Sequence, residues 1–250
     1  MNKITISFMI TFLAGISTIL GIIPTYFNKK YEDKIINFSL SFASGIMITI
    51  SFISLIPEAL KYLNTSLSFF SIILTLIFIN IGLIMATIID KNISKRVSNN
   101  SLYKVGIVSI IALILHNIPE GITTFITTSN DFKIGLTLSL AIALHNIPEG
   151  ISIAVPIYYS TNSHRKAFLY TFISGFSEFF GAVLAYIFLS HFVNDFIMSL
   201  VLGITAGVMI QISTNELLPT SFKYKNNFIS FLGLFLGSII MIICVFIFKI

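Results

Sequence analysis

Two identical strings carry the chemistry of this chain. They are His116-Asn117-Ile118-Pro119-Glu120-Gly121 and His145-Asn146-Ile147-Pro148-Glu149-Gly150, with the second histidine 29 residues after the first. Each offers an imidazole, an amide and a carboxylate, which are metal-ligand types. All three are costly to place in hydrocarbon, yet both strings lie inside long apolar runs. On a helix, His at i and Glu at i+4 share one face, and Asn at i+1 sits about 100° around. One helix can therefore turn an imidazole and a carboxylate toward one ion and an amide oxygen toward a neighbouring position. Pro119 and Pro148 leave the carbonyls of Leu115 and Leu144 without their helical partners. In a membrane such carbonyls are tolerated where they line a cavity. Gly121 and Gly150 suit close helix approach.

A third span adds Glu178, in SGFSEFFGA. His116 and Glu178 each fall 11 residues into their spans, and His145 falls 12 residues into its own. At about 1.5 Å per residue, each is roughly 17 Å from its own surface, near the middle of a core about 30 Å thick. One such string is compatible with a proline kink among satisfied polar neighbours. Two copies at matched depth, joined by Glu178, point instead to a polar site in the membrane interior. Of the six glutamates only Glu32 is clearly in a loop, whereas Glu58, Glu120, Glu149, Glu178 and Glu216 fall within apolar runs. Glu58 lies near the outer end of the second span, and Gln211, Asn215 and Glu216 near the inner end of the seventh. His164 and His191 read as solvated residues in or beside loops.

The spans that must position these groups follow from composition. The 250 residues are 56% hydrophobic and only 10% charged, against about 25% charged in a soluble chain, so the solvent is a bilayer. Apolar runs and charged breaks predict an all-α integral membrane protein of eight transmembrane helices in a single polytopic domain, 1–250. Their ranges are about 4–27, 35–59, 66–89, 105–129, 133–158, 167–190, 196–221 and 227–248. The loops are short, the longest being the polar, basic segment 90–104, read as mobile. With both termini outside, the inner loops hold 11 Lys and Arg and the outer segments only Lys3, Lys61, Lys133 and Lys249. That split obeys the positive-inside rule. The net charge of +5 is then a loop bias rather than a sign of nucleic acid. The apolar start is read as the first span rather than a secretory leader, because the run continues to Phe27 with no clear small-x-small cleavage site. The lone Cys244 excludes an internal disulfide and a thiolate zinc cluster.

Imidazole, amide and carboxylate without thiolate suit Zn²⁺, Fe²⁺, Mn²⁺ and Co²⁺. Glu120, Glu149 and Glu178 carry three negative charges, so one divalent ion leaves −1 and two leave +1, and a binuclear site is feasible. Protons compete for the same lone pairs, so low pH weakens binding. An intramembrane metalloprotease would carry HExxH, which occurs nowhere in the chain. No nucleotide-binding P-loop is present, which argues against an ATP-driven pump. Carrier and channel remain open at this level, and no enzyme activity or bound cofactor is expected.

HNIPEG in the fourth span, ALHNIPEG in the fifth and SGFSE in the sixth together resemble the ZIP family of divalent-metal transporters. IALHNIPEGISIAVPIYY, RKAFLY and NELLP are similar to its bacterial zinc-uptake, ZupT-type branch. The resemblance implies eight helices, both termini outside, and a binuclear site between the fourth and fifth helices with help from the sixth. It implies Asn117, Glu120, His145, Asn146, Glu149 and Glu178 as metal ligands, with Glu120 and Glu149 bridging. His116 is implied as a further ligand and Met47, in SGIM, as a weaker one. Import of zinc, and also iron, across the cell membrane by a homodimer with an elevator-like motion is implied too. Asn215 departs from the DELLP common in the family, so no role transfers to it, and 90–104 lacks the family's frequent histidine cluster.

Overall fold

The computed structural model describes residues 2–63, 69–96, 101–189, 194–224 and 226–248. His191, Lys225 and Lys249 lie outside the described residues. Eight helices long and apolar enough to cross a membrane account for nearly all of what is described. They are α1 (Lys3–Tyr26), α2 (Lys29–Leu63), α3 (Phe69–Lys95), α4 (Ser101–Asn130), α5 (Phe132–Thr161), α6 (His164–Ile187), α7 (Asp195–Phe222) and α8 (Asn227–Phe248). The chain is thus a multi-pass, all-helical membrane protein. The second span is longer at both ends than the hydropathy pattern predicts.

Connections are tight where they can be followed. Asp131 alone separates α4 from α5, and its Oδ1 accepts from the backbone N–H of Lys133 (2.9 Å) and Ile134 (3.0 Å), capping α5. Asn162 ends α5 at φ 51°, a left-handed conformation that asparagine tolerates, and its Oδ1 accepts from Lys29 Nζ at 2.6 Å.

Local irregularities follow from particular residues. In α1 the Ser17–Tyr26 part is 3₁₀. The hydroxyls of Ser17, Thr18 and Thr25 donate to the carbonyls three residues back, at 2.6–2.7 Å, which favours the tighter winding. A π turn at Ser51–Leu55 in α2 precedes Pro57, and another at Ser213–Leu217 in α7 precedes Pro219. Neither proline has an N–H for the carbonyl four residues back, and the widened turn absorbs the break. By contrast α4 and α5 run on through Pro119 and Pro148.

The helices form two groups. Within the first, α1, α4, α5 and α6 pack on one another; within the second, α2 packs on α8 and α3 on α7. Close approaches are made at glycines. A Cβ on Gly15 or Gly175 would strike the backbone of the other (α1 and α6), and a Cβ on Gly21 would strike the backbone of Gly150 (α1 and α5). With no hydrophobic drive between helices in lipid, such close approach supplies the dispersion contact that holds them. In α2 and α5, 72% and 67% of the most apolar stretch is buried, against 22% in α3 and α8, so the latter pair is peripheral. Phe69, Phe228, Phe235 and Phe246 turn outward, as lipid contact requires.

The predicted mobile loop 90–104 is corrected. The helix of α3 runs one residue past its spanning range, to Arg96, and α4 begins at Ser101, so only 97–100 remain between them, outside the described residues. Asp90 and Lys104 lie within helix and pair with each other: Lys104 Nζ stands 2.6 Å from Asp90 Oδ1 and 2.8 Å from Glu216 Oε1. This triad joins α4 to α3 and α7 across the two groups. Glu216 is nearly covered, so removing its cation leaves a poorly solvated carboxylate. Lys104→Met is expected to lower the melting midpoint in detergent, and adding Glu216→Gln should recover part of the loss. If the single variant melts with the parent, the triad is an ordinary surface pair.

His164 is also corrected. It opens α6 between two tyrosine faces, with centroids 4.2 Å from Tyr26 and 4.3 Å from Tyr158, and its Nδ1 is 3.1 Å from Thr25 Oγ1. Stacking on rings from α1 and α5 leaves it half-buried beside the loop rather than fully solvated.

Candidate metal centre

Midway along α4 and α5, the two HNIPEG strings face each other. His116 Nε2 lies 3.1 Å from Glu120 Oε1 on its own helix, as the i, i+4 spacing requires, and 3.1 Å from Glu149 Oε1 on α5. His145 Nε2 is 2.9 Å from Glu120 Oε1. Each carboxylate thus reaches an imidazole of the opposite repeat. Neither approach of His116 is aligned as a hydrogen bond, so proximity rather than bonding describes them. His116, His145 and Glu149 each bring a donor atom within 4.8 Å of the others.

The amides form the other part of the centre. Asn117 Nδ2 donates to the Ser174 carbonyl of α6 at 2.9 Å. Asn146 Nδ2 donates to the Ala14 carbonyl of α1 at 3.0 Å and to Glu178 Oε2 at 2.8 Å. A carbonyl only accepts, so these bonds fix the nitrogen side of each amide and leave its oxygen for another partner. Asn117, Asn146, Glu149 and Glu178 are all fully buried.

The orphaned atoms report what is wanted. Asn117 Oδ1, Glu120 Oε2, Asn146 Oδ1, both oxygens of Glu149 and Glu178 Oε1 are buried with no hydrogen-bond partner. Each such group costs about 1–3 kcal/mol if left unmatched. All are acceptors when the carboxylates are ionised, and a cation satisfies several together. Two donors on one tetrahedral zinc ion, each about 2.0–2.1 Å from it, stand roughly 3.3 Å apart. The 2.9–3.1 Å separations here are close to that edge. Residue type, burial and spacing therefore all fit a divalent metal.

Two cavities that share lining residues approach this centre from the end of α4 and α5 that carries Thr127 and Lys133. A narrow one of about 50 Å³ is lined by His116, Glu120 and His145, and a wide one of about 790 Å³ by Glu58, Lys61, Thr127 and Lys133. Ser54, Glu58, Thr123 and Leu138 line both. Toward the other end of α4, buried Leu113, Val108 and Val105 fill the space, and the Lys104 triad lies roughly 18 Å along the axis from His116.

A match to the family model described as "ZIP Zinc transporter" covers residues 97–244. The chain belongs to the ZIP family. Its ZIP relatives include a zinc transporter ZupT of Clostridium perfringens, 33% identical across 99% of this chain and 98% of that protein. Another, from Oceanobacillus iheyensis, is 35% identical across 96% and 97%. A third, from Chlorobium limicola, is 36% identical across 93% and 94%.

Seven of the residues singled out from the ZIP resemblance converge here: His116, Asn117, Glu120, His145, Asn146, Glu149 and Glu178. Met47 is fully buried in the apolar core, three residues before Ile50, which lines the narrow cavity. The close approaches expected of Gly121 and Gly150 are present: a Cβ at Gly121 would run into the Glu178 carbonyl, and one at Gly150 into the Thr18 carbonyl. Leu115 and Leu144 have their side chains on exposed faces. Sequence reasoning missed α1 altogether as a contributor. The run Ala14, Gly15, Thr18, Gly21 is a signal of close packing, but nothing in it marks a carbonyl that holds Asn146.

Proposed function

We propose that this chain carries Zn²⁺ into the cell by alternating access, as a secondary transporter. The observation that supports this best is the cluster of two imidazoles and two carboxylates at 2.9–3.1 Å, ringed by buried oxygens without partners. Its relatives are named zinc transporters. In this reading Glu120 and Glu149 bridge two ions. His116 and His145 complete one position, and Asn117, Asn146 and Glu178 the other. Met47 is the weakest member of the set. The same donors serve Fe²⁺, Mn²⁺ and Co²⁺, so these ions compete. Lipid and a second copy of the chain are the remaining partners.

Direction follows from charge. The wide cavity opens beside Lys61 and Lys133, which the positive-inside count assigns to the outside together with both termini. The end assigned to the cytoplasm is closed by apolar packing and the Lys104 triad. A site open to one side and closed to the other favours a carrier over a channel. Reconstituted in liposomes, the protein should take up zinc to saturation and show counterflow. Apparent affinity should fall as pH is lowered, because protons occupy the imidazole and carboxylate lone pairs. Zinc flux no greater than in protein-free liposomes would sink the reading. Unsaturable flux without counterflow would replace the carrier with a channel.

A further inference from the structure

Resting on the transport reading above, we propose a second, weaker cation station at the neck between the two cavities, with Glu58 as its charged ligand. Ser54 and Glu58 are one turn apart on α2 and line both cavities, as do Thr123 and Leu138. Any ion that moves from the wide cavity to Glu120 passes this ring. Among the described residues lining the wide cavity, Glu58 is the only acid. Thr123 is one turn past Glu120 on α4, about 4.5 Å along the axis. Its hydroxyl donates to the Pro119 carbonyl at 3.0 Å, which leaves its oxygen lone pairs for the neck.

The donors here differ from those at the deep centre. A carboxylate and hydroxyls are hard oxygen ligands, with no imidazole among them, and they suit a divalent cation that still holds its water. The narrow cavity beyond, about 50 Å³, has room for an ion with only a few waters. The neck is therefore where the shell is first reduced, and the imidazoles of His116 and His145 take over from the waters that remain.

Charge keeps this station weak. Lys61 follows Glu58 by three residues on α2, and Lys133 opens α5 on the opposite wall, so the three charges sum to +1. The two ammonium groups shield the deep carboxylates from outside, which makes Glu58 the local attraction in the mouth. A carboxylate opposed by two lysines binds a divalent ion briefly and releases it inward rather than trapping it.

The test uses purified full-length protein in liposomes, with zinc as the probe. Glu58→Gln should raise KM for zinc by about tenfold with Vmax little changed, the low end of what focused charge contributes to capture. Lys61→Gln and Lys133→Gln should shift KM in the opposite direction. Both effects should shrink as ionic strength rises. Glu58→Asp, which keeps the charge, should behave like the parent and so separates a lost ligand from a lost fold. Calorimetry in detergent should show the tight zinc binding of the deep centre intact in Glu58→Gln and a weaker binding event missing. Unchanged KM in Glu58→Gln, or a fall in Vmax alone, overturns the station. If the parent moves no zinc, the transport reading fails instead, and the weaker binding event, present or absent in the parent, decides the station by itself.

Discussion

Glu149→Gln is expected to abolish zinc uptake while leaving a protein at least as stable as the parent without metal. Glu149 is fully buried, lies 3.1 Å from His116, and has no hydrogen-bond partner on either oxygen. Without metal its charge is therefore a burden, and an amide of the same shape relieves it. In the proposed two-ion site it bridges the ions, and glutamine retains only one neutral oxygen. Losing even an outer partner of a metal ligand costs about 10–100-fold in affinity, so losing the ligand itself costs more. Zinc should raise the parent's melting midpoint by mass action and have almost no effect on the variant. Transport and melting measured on the same preparations give opposite signs: function lost, metal-free stability kept or gained. Uptake by Glu149→Gln with parental KM and Vmax would remove Glu149 from the site.

Gly121→Val should prevent assembly of the folded protein. The added Cβ would run into the backbone carbonyl of Glu178, and backbone has no rotamer through which to move aside. α4 and α6 would have to separate, and both carry site residues. Overpacking costs about 1–3 kcal/mol where side chains can adjust, and more against backbone. Gly106→Ala, on the same helix, is the milder comparison, because there the Cβ first meets side-chain atoms of Ile157 rather than backbone. Detergent extraction and size-exclusion profiles should show aggregate for Gly121→Val and a parental peak for Gly106→Ala. Monodisperse, zinc-binding Gly121→Val would mean that the two helices have slack at this contact.

These outcomes divide according to what sequence can carry. The spans were legible because twenty apolar residues in a row have one use, and the pairing of His116 with Glu120 because helical periodicity places i and i+4 together. The meeting of the two repeats was legible from depth alone: groups at one plane on adjacent helices have little choice but to meet. The pairing of Lys104 with Glu216, 112 residues away, has no local pattern, and so 90–104 read as a loop when its ends are helix. His164 read as solvated because its rings of contact, Tyr26 and Tyr158, come from two other helices. Glu58 was legible as an acid near a surface, but its place in the neck depends on the cavity formed with α4 and α5.

The bond from Asn146 to Ala14 has a consequence for how this centre would be dissected. α1 contributes a peptide carbonyl, and the residue that bears it is already alanine. A replacement scan to alanine passes over that position unchanged, and at Gly15 and Gly21 it reports only the clash of an added Cβ, so the part played by the carbonyl goes unread. Only chemistry directed at the amide linkage, such as an ester substituted for the peptide between Ala14 and Gly15 or an isotope-edited infrared band of that single carbonyl, would register its contribution.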